Sequence, residues 1–495
     1  MFDNKIKGIL SLISSIFTQI IIGNAFTFGN FIIYYKSYLY YNNVKDITVL
    51  DLLYVVPTAC ACLNILPIIT GFLDKLLGIR ILTIISTICL LISQFIIYYY
   101  TEYYLMIISY AIYGFAGSIT YLPTLKNCWK YYPNKKGLIS GILFSSCGLS
   151  TFLFTTIGDW LINPKAESEI GKQLYSKDIA MRYLNYLQYY IICIIILGTI
   201  SSILSFPFEE EANVKEIDID KTFDDKENKN NLIEDNKINE KDYIINDEND
   251  KRYSVNSDKE GEGKNKNIVQ EENLTLKESI FSFQFLLCFI IVGCTLLFSF
   301  LLTNTYRTFG LEMELDELGI QILSKVYTLL NTFARIIWGL IYDKCGFKYP
   351  YIFVCINQII CSSLIYFSAK NIITYFVVCC FGVISFSGHM ILFPNLVTKK
   401  FGVDNSVILL GFCGIVSGIT SLIGPILTSQ LIKSNSDYLK TYLAAGSTTI
   451  ISLLLTIIVK VEKMKKNNEN NDNNNIENTN NNEKNKEEKN DSESF

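Results

Sequence analysis

One histidine, His389, serves all 495 residues of this chain. Fourteen cysteines are scattered through apolar runs, for example Cys60, Cys62, Cys89, Cys288, Cys294, Cys379 and Cys380. Their spacing is that of neither a metal site nor a disulfide framework. A glycine-rich phosphate loop and a nucleophile elbow are also missing. These absences exclude the common sequence signatures of enzymes and of ATP-driven pumps, so no enzyme and no cofactor is expected. The formal net charge of −4 comes largely from two polar segments, so it says little about partners. A nucleic-acid partner is not expected.

Apolar residues make up 50% of the chain. That average is diluted by two segments rich in Asn, Lys, Glu and Asp, 208–278 and 461–495. Such tracts bury too little apolar surface to offset the entropy of ordering, so a disordered linker and a disordered tail are expected. Elsewhere the apolar runs are long enough to cross about 30 Å of hydrocarbon as helices. Twelve spans are expected: 9–35, 50–72, 80–100, 103–125, 137–158, 184–206, 280–302, 319–342, 350–369, 372–397, 406–431 and 439–460. The plan is an N-terminal six-helix bundle (1–207), a cytoplasmic linker (208–278), a C-terminal six-helix bundle (279–460) and a cytoplasmic tail (461–495). The first apolar run is too long for a signal-peptide core, so no cleavable leader is expected and the plasma membrane is favoured. Lys5, Lys7, Lys75, Arg80, Lys126, Lys130, Lys135, Lys136, Lys344, Lys348, Lys399, Lys400 and Lys460 fall on one side. By the positive-inside rule that side, with both termini, is cytoplasmic.

The halves repeat one another. GSITYLP (117–123) and GHMILFP (388–394) place Gly and Pro at the same spacing in the fourth and tenth spans. GFLDKLLGIR (71–80) and GLIYDKCGFK (339–348) follow the second and eighth. Two parallel repeats of six helices are the plan of major facilitator superfamily transporters, which the chain resembles. The fold class expected is therefore an all-α polytopic membrane protein of twelve helices in two six-helix pseudo-repeats. The two loops resemble that superfamily's Gly, Asp-basic, Gly, basic signature. The copy at 339–348 fits it well, whereas Asp74 comes one position early in the first. The resemblance implies gating roles for Asp74, Lys75, Arg80, Asp343 and Lys344.

Three further stretches, GNAFTFGNF (23–31), YPNKKGLISGILFSSCGLS (132–150) and FGVDNSVILLGFCGIVSGITSLIGP (401–425), resemble the oxalate/formate antiporter-like and monocarboxylate transporter branch. So does NTFARIIWGLIYDKCG (331–346), which carries Arg335 inside an apolar span. An arginine near the centre of a membrane helix costs roughly 2.5 to 3.5 kcal/mol on insertion scales, so its presence asks for a function. In that branch the arginine holds the substrate carboxylate, and a planar guanidinium is suited to that task. The competing explanation, snorkelling to the membrane edge, needs Arg335 to cover about 12 Å of helical rise to Asp343. Asn331 stands where proton-coupled relatives carry Asp. Ser417 aligns near the helix-11 lysine of dicarboxylate carriers, and Asn30 is close to the helix-1 lysine of monocarboxylate carriers. One buried cation and no buried acid suit one carboxylate per substrate.

The expected substrate-binding set is Arg335, Asn331, Asn24, Phe28, Asn30, Tyr121 and Phe393, because small-anion pockets combine aromatic and amide walls. His389 is the candidate proton-coupling group, since imidazole titrates near neutral pH. Packing is the alternative for each aromatic and for His389. Gly141, Gly148, Gly411, Gly414 and Gly418 are read as close helix contacts. The expected activity is alternating-access transport of a small monocarboxylate such as lactate, pyruvate, formate or a vitamin-type acid like pantothenate, with protons as candidate coupling ion. The expected partners are that anion and the lipid bilayer, and a monomer suffices. A transporter of a neutral solute and a non-transporting sensor are the alternatives.

Overall fold

The computed structural model describes residues 3–209 and 275–461, apart from 53, 166, 168, 169, 171–173 and 432–434. The linker and tail expectations lie almost wholly outside these residues. Every regular element among those described is helical. The N-terminal spans are α1 (Asn4–Tyr41), α2 (Val49–Leu52 and Val55–Ile65, continuing through 67–77), α3 (79–99), α4 (Tyr103–Tyr131), α5 (Lys136–Ile162) and α6 (Lys177–Leu204). The C-terminal spans are α7 (Phe283–Glu312), α8 (Glu317–Cys345), α9 (Lys348–Ser368), α10 (Ile372–Phe401), α11 (Ser406–Leu431) and α12 (Asn435–Ile458). All twelve expected spans have a helix.

Nine of these helices are long and apolar enough, by composition, to cross a membrane. The other three fall short for visible reasons. α2 is broken before Pro67, and α8 is diluted by Lys325, Arg335, Asp343 and Lys344. In α11 the apolar stretch among the described side chains is Ser406–Ser421, shorter than a full span. Several helices also outrun their apolar stretch. α4 continues past the expected end at 125 to Tyr131, and α6 begins at Lys177 rather than 184. Hydropathy reports where hydrocarbon begins, whereas a helix ends where its hydrogen-bond ladder does.

Three glycines make the sharpest reversals. Gly78 joins α2 to α3, Gly346 joins α8 to α9, and Gly402 joins α10 to α11, with φ of 74°, 71° and 87°. Their ψ values of 162°, −157° and 160° place them in a region essentially reserved for glycine. Gly78 and Gly346 are matching members of the repeated loop motif, so the repeat is conformational as well as textual. Pro123 and Pro394 likewise sit inside α4 and α10. Each removes a ladder hydrogen bond, a common cause of a bend.

Burial sorts the helices into layers. In α6 and α12, and in the helix 67–99 that contains α3, 33% of the apolar stretch is buried, and in α9 44%. The helices α1, α4, α5, α7 and α10 reach 56–61%, so they form the interior. The outer helices carry exposed apolar ridges such as Ile81, Ile84, Ile88 and Ile92 on α3 and Phe353, Ile356, Ile360 and Leu364 on α9. Such surface is stable against lipid. Hydroxyl rungs tie inner helices to outer ones. Ser14 and Thr18 of α1 meet Ser201 of α6, and Thr295 of α7 meets Ser452 of α12.

The pairing is pseudo-symmetric. α5 packs on α1 and on α8 of the other half, while α11 packs on α7 and on α2 of the other half. An apolar cluster crosses between the halves, with Leu122, Trp129, Leu143 and Phe144 on one side and Ala334, Trp338, Leu396 and Leu410 on the other. It lies toward the end that carries both described termini. There Gly8 faces Tyr131, and Lys348 donates to the Ile457 carbonyl.

The turn glycines give a direct test. Gly78→Ala and Gly346→Ala should each lower stability by about 1–3 kcal/mol, the cost of holding a side chain in that backbone region. Gly29→Ala, where an added Cβ meets nothing within 4 Å, should leave the melting temperature of the detergent-solubilised protein unchanged or slightly raised.

Candidate functional site

α8 starts under an Asp316 cap, whose carboxylate accepts from Gly319 N–H at 2.8 Å. Along its length Thr332, Arg335, Gly339 and Asp343 recur at spacings of three and four and so share a face. That face meets α5, running antiparallel. Gly137 and Gly339 stand in backbone contact, and a Cβ on either would collide with the other's carbonyl. A Cβ on Gly141 would stand 2.7 Å from the Arg335 carbonyl, and one on Gly148 2.7 Å from Thr332 Oγ1. Ser145 Oγ donates to the Thr332 carbonyl at 2.6 Å.

Arg335 is half-buried in this crossing. Its Nη1 donates to the Phe144 carbonyl of α5 at 2.5 Å, reaching from one half of the molecule to the other. Its Nε is buried and has no hydrogen-bond partner among the described residues. The Phe144 ring stacks on Tyr121 of α4, with centroids 5.0 Å apart. By helical rise, Arg335 lies about 15 Å from the end of α8 at Cys345, and Tyr121 about 15 Å from the end of α4 at Tyr131. Phe144 lies about 12 Å from the start of α5. All three lie well inside their helices, about one turn from the midpoints.

The other expected substrate residues are dispersed. Asn331, one turn before Arg335, accepts from Ser387 Oγ of α10 at 2.8 Å. Asn30 is exposed and donates to Thr155 Oγ1 of α5 at 3.0 Å. Asn24 is buried, with Oδ1 accepting from Tyr186 at 2.6 Å and Thr27 at 2.9 Å. Phe28 is packed edge-on against Tyr35 and Tyr110 in the core of its own half. Phe393 stacks on His389 in the core of the other. His389 Nδ1 pairs with the Tyr351 hydroxyl at 2.7 Å, and Tyr351 donates on to Thr295. The structure therefore brings Arg335 together with Tyr121 and Phe144. It places Asn24, Phe28, Phe393 and His389 in side-chain networks within single halves.

The signature residues work differently from a pairing of neighbours. Asp343 does not bind Lys344. Its carboxylate accepts from the backbone N–H groups of Gly137 at 2.7 Å and Leu138 at 2.8 Å, at the start of α5. A helix N-terminus has unsatisfied donors and a partial positive charge, so a carboxylate is a good match. Asp74, shifted one position in its own loop, instead pairs with Lys126 of α4 at 2.8 Å. Lys75 reaches Asn405 Oδ1 across the halves at 3.0 Å. Arg80 donates to the Ile203 and Ser205 carbonyls at the end of α6 and lies over the Phe206 ring, inside its own half. Two further ties were not anticipated from the sequence: Lys130–Asp404 at 2.7 Å and Asn395–Ser140 at 3.0 Å. Those described between the halves lie at the level of Thr332 and Arg335 or nearer the terminal end. Among the described residues no three His, Cys, Asp or Glu side chains come together as a metal site.

This arrangement of helices and signature loops agrees with the sequence comparison. The family model for the Major Facilitator Superfamily matches residues 20–425. The chain belongs to the major facilitator superfamily. It is thus a multi-pass membrane transporter. A single-substitution variant of the Escherichia coli fucose:proton symporter superposes with a TM-score of 0.60 at 10% identity, covering 91% of this chain and 98% of the symporter. A proton:xylose symporter bound to 6-bromo-6-deoxy-D-glucose gives 0.59 at 10% identity, over 93% and 98%. A bacterial homologue of the iron transporter ferroportin, in an outward-facing state, gives 0.60 at 9% identity, over 91% and 98%. At such identities the likeness extends to the fold alone. No curated protein sequence matches the chain significantly.

The Asp343 contact predicts an asymmetry between neighbours. Asp343→Ala removes a cap worth about 0.5–2 kcal/mol, whereas Lys344→Ala removes nothing that ties the halves. A Ser140→Cys reporter, buried against Asn395, should react with maleimide several-fold faster in the Asp343→Ala background and at an unchanged rate with Lys344→Ala. Peptide mass spectrometry reads both.

Proposed function

We propose that this transporter carries a small monocarboxylate by alternating access, with Arg335 as the anion anchor. The observation behind this reading is the Arg335 guanidinium itself, held between the halves well inside α8, with a buried Nε–H that has no partner among the described residues. A carboxylate taken from water loses hydration, and a fixed cation with an available donor compensates for that loss. Because arginine stays protonated at any physiological pH, the anchor is always charged. Tyr121 and Phe144 supply an aromatic wall beside it. This favours the oxalate/formate antiporter-like and monocarboxylate branch, and one cation favours one carboxylate.

The cycle follows from the ties at the terminal end. With the termini in the cytoplasm, the Asp343 cap, the Lys130–Asp404 pair and the Lys75–Asn405 contact close the cytoplasmic side. The Phe144 bond makes Arg335 one of these ties as well. A carboxylate arriving at Arg335 competes with the Phe144 carbonyl for the guanidinium. Substrate binding then loosens a contact between the halves, which couples occupancy to rocking. The same bond is the basis of a second reading, in which Arg335 is only an inter-half strut and the solute is neutral.

Uptake into proteoliposomes separates the two. Radiolabelled lactate, pyruvate, formate and pantothenate should be tested with and without an inward proton gradient. At least one acid should enter, and Arg335→Ala should reduce its uptake at least about a hundredfold, on the scale of a lost charged hydrogen bond in a buried site. Normal acid uptake by Arg335→Ala, or no uptake by folded wild type, removes the anchor. The same assay tests His389 as the proton carrier. If His389→Gln keeps the gradient response of wild type, coupling lies elsewhere.

A further inference from the structure

Gln19 stands near the middle of α1 and is fully buried. Its Nε2 donates to the Tyr121 carbonyl at 3.2 Å. A carbonyl can only accept, so this contact fixes which way the amide points, and Oε1 faces away from it. That oxygen is buried with no hydrogen-bond partner among the described residues. Arg335 is in the complementary condition: Nη1 is engaged by Phe144, and Nε remains a buried donor without a partner. The two side chains are linked through one pair of residues: Gln19 donates to the Tyr121 backbone carbonyl, Arg335 to that of Phe144, and the Tyr121 and Phe144 rings stack with centroids 5.0 Å apart. Four helices, α1, α4, α5 and α8, thus converge at one depth with one unmatched acceptor and one unmatched donor.

We propose that Gln19 is a second anchor for the same cargo. Its Oε1 accepts a hydrogen bond from a hydroxyl or amide N–H carried by the acid whose carboxylate meets Arg335. The preferred substrates are therefore monocarboxylates that also bear such a donor, ahead of simple alkanoates and keto acids of the same size. The proposal rests on the anion-anchor reading of Arg335. A buried acceptor that must stay unpaired penalises a ligand lacking the donor, and discrimination comes from that penalty as much as from the bond formed. An ammonium donor is disfavoured, because the described contacts of Gln19 and Tyr121 include no carboxylate to offset its desolvation. Ser118 Oγ is also buried and unpartnered, yet a serine hydroxyl can turn onto the carbonyl four residues earlier, so it is a weaker sign of a ligand.

Lactate and propionate share a three-carbon frame and differ at the 2-hydroxyl, so they are the probes. Concentration-dependent uptake of each would be measured in proteoliposomes for wild type, Gln19→Met, Gln19→Leu and Arg335→Ala. Gln19→Met retains length and volume. The Tyr121 carbonyl still receives Thr124 in that variant, so folding should survive, with monodispersity as the check. Wild type should half-saturate with lactate at a concentration about tenfold below that for propionate. Gln19→Met should bring the two within about twofold by weakening lactate alone, and Gln19→Leu should do the same. Arg335→Ala should lose both. If wild type takes both acids equally, or the Gln19 variants weaken both in parallel, Gln19 is a packing residue and the proposal fails while the anchor stands. If wild type takes up neither of these acids nor pantothenate, the anchor and this proposal fall together.

Discussion

The approach of α5 to α8 governs everything else at the centre of this molecule. Lipid gives two helices little hydrophobic reason to associate, so adhesion has to come from close packing and hydrogen bonds. Gly137 and Gly339 allow backbone contact, and Gly141 and Gly148 leave room for the Arg335 carbonyl and the Thr332 side chain. At that separation Asp343 can reach backbone donors and Arg335 can reach a backbone acceptor on the opposite helix. A wider crossing would leave the half-buried guanidinium without its acceptor and the Asp343 carboxylate without its donors. The anchor and the gate are thus two consequences of one crossing.

The equivalent crossing of α2 with α11 does not repeat the chemistry. Gly411 and Gly414 there press on the α2 backbone near Ile68 and Asn64, so the close packing is preserved. The charge is not. With Asp74 one residue early, a turn of about 100° carries it away from α11 and onto Lys126. The position matching Asp343 is occupied by Lys75, which the positive end of a helix disfavours. Lys75 settles on the Asn405 amide oxygen, and Lys130 pairs with Asp404 where both remain partly exposed. One side of the gate is therefore a carboxylate on backbone donors, and the other is a set of side-chain contacts.

The spans were legible because apolar length is a one-dimensional property, and the repeat because its glycines recur at fixed spacing. The departure of Asp74 from the motif was also visible, though its result, a pair with Lys126, was not. Lys126 reads as one more basic residue beside a loop, yet it is 8% exposed. Asp343 illustrates a deeper limit. Its partners are backbone N–H groups 205 and 206 residues away, and backbone groups leave no mark in a sequence. Phe28 and Phe393 show the limit of composition: with 32 Phe and 32 Tyr, an aromatic at a given position says nothing about which neighbour it faces. Gln19 carried no signal at all, since one amide in an apolar run looks the same whether or not its oxygen is matched.

The grip of Asp343 on main-chain donors has a consequence for how this region tolerates change. An ion pair between side chains can be lost by altering either residue. Here the donating partner is present whatever residue occupies position 138, with proline as the exception because it has no N–H to offer. Position 137 is constrained for a different reason, since any side chain would meet the Gly339 carbonyl. The latch thus divides its demands: one site must stay small, its neighbour must merely keep its hydrogen, and only the acid itself must keep its identity.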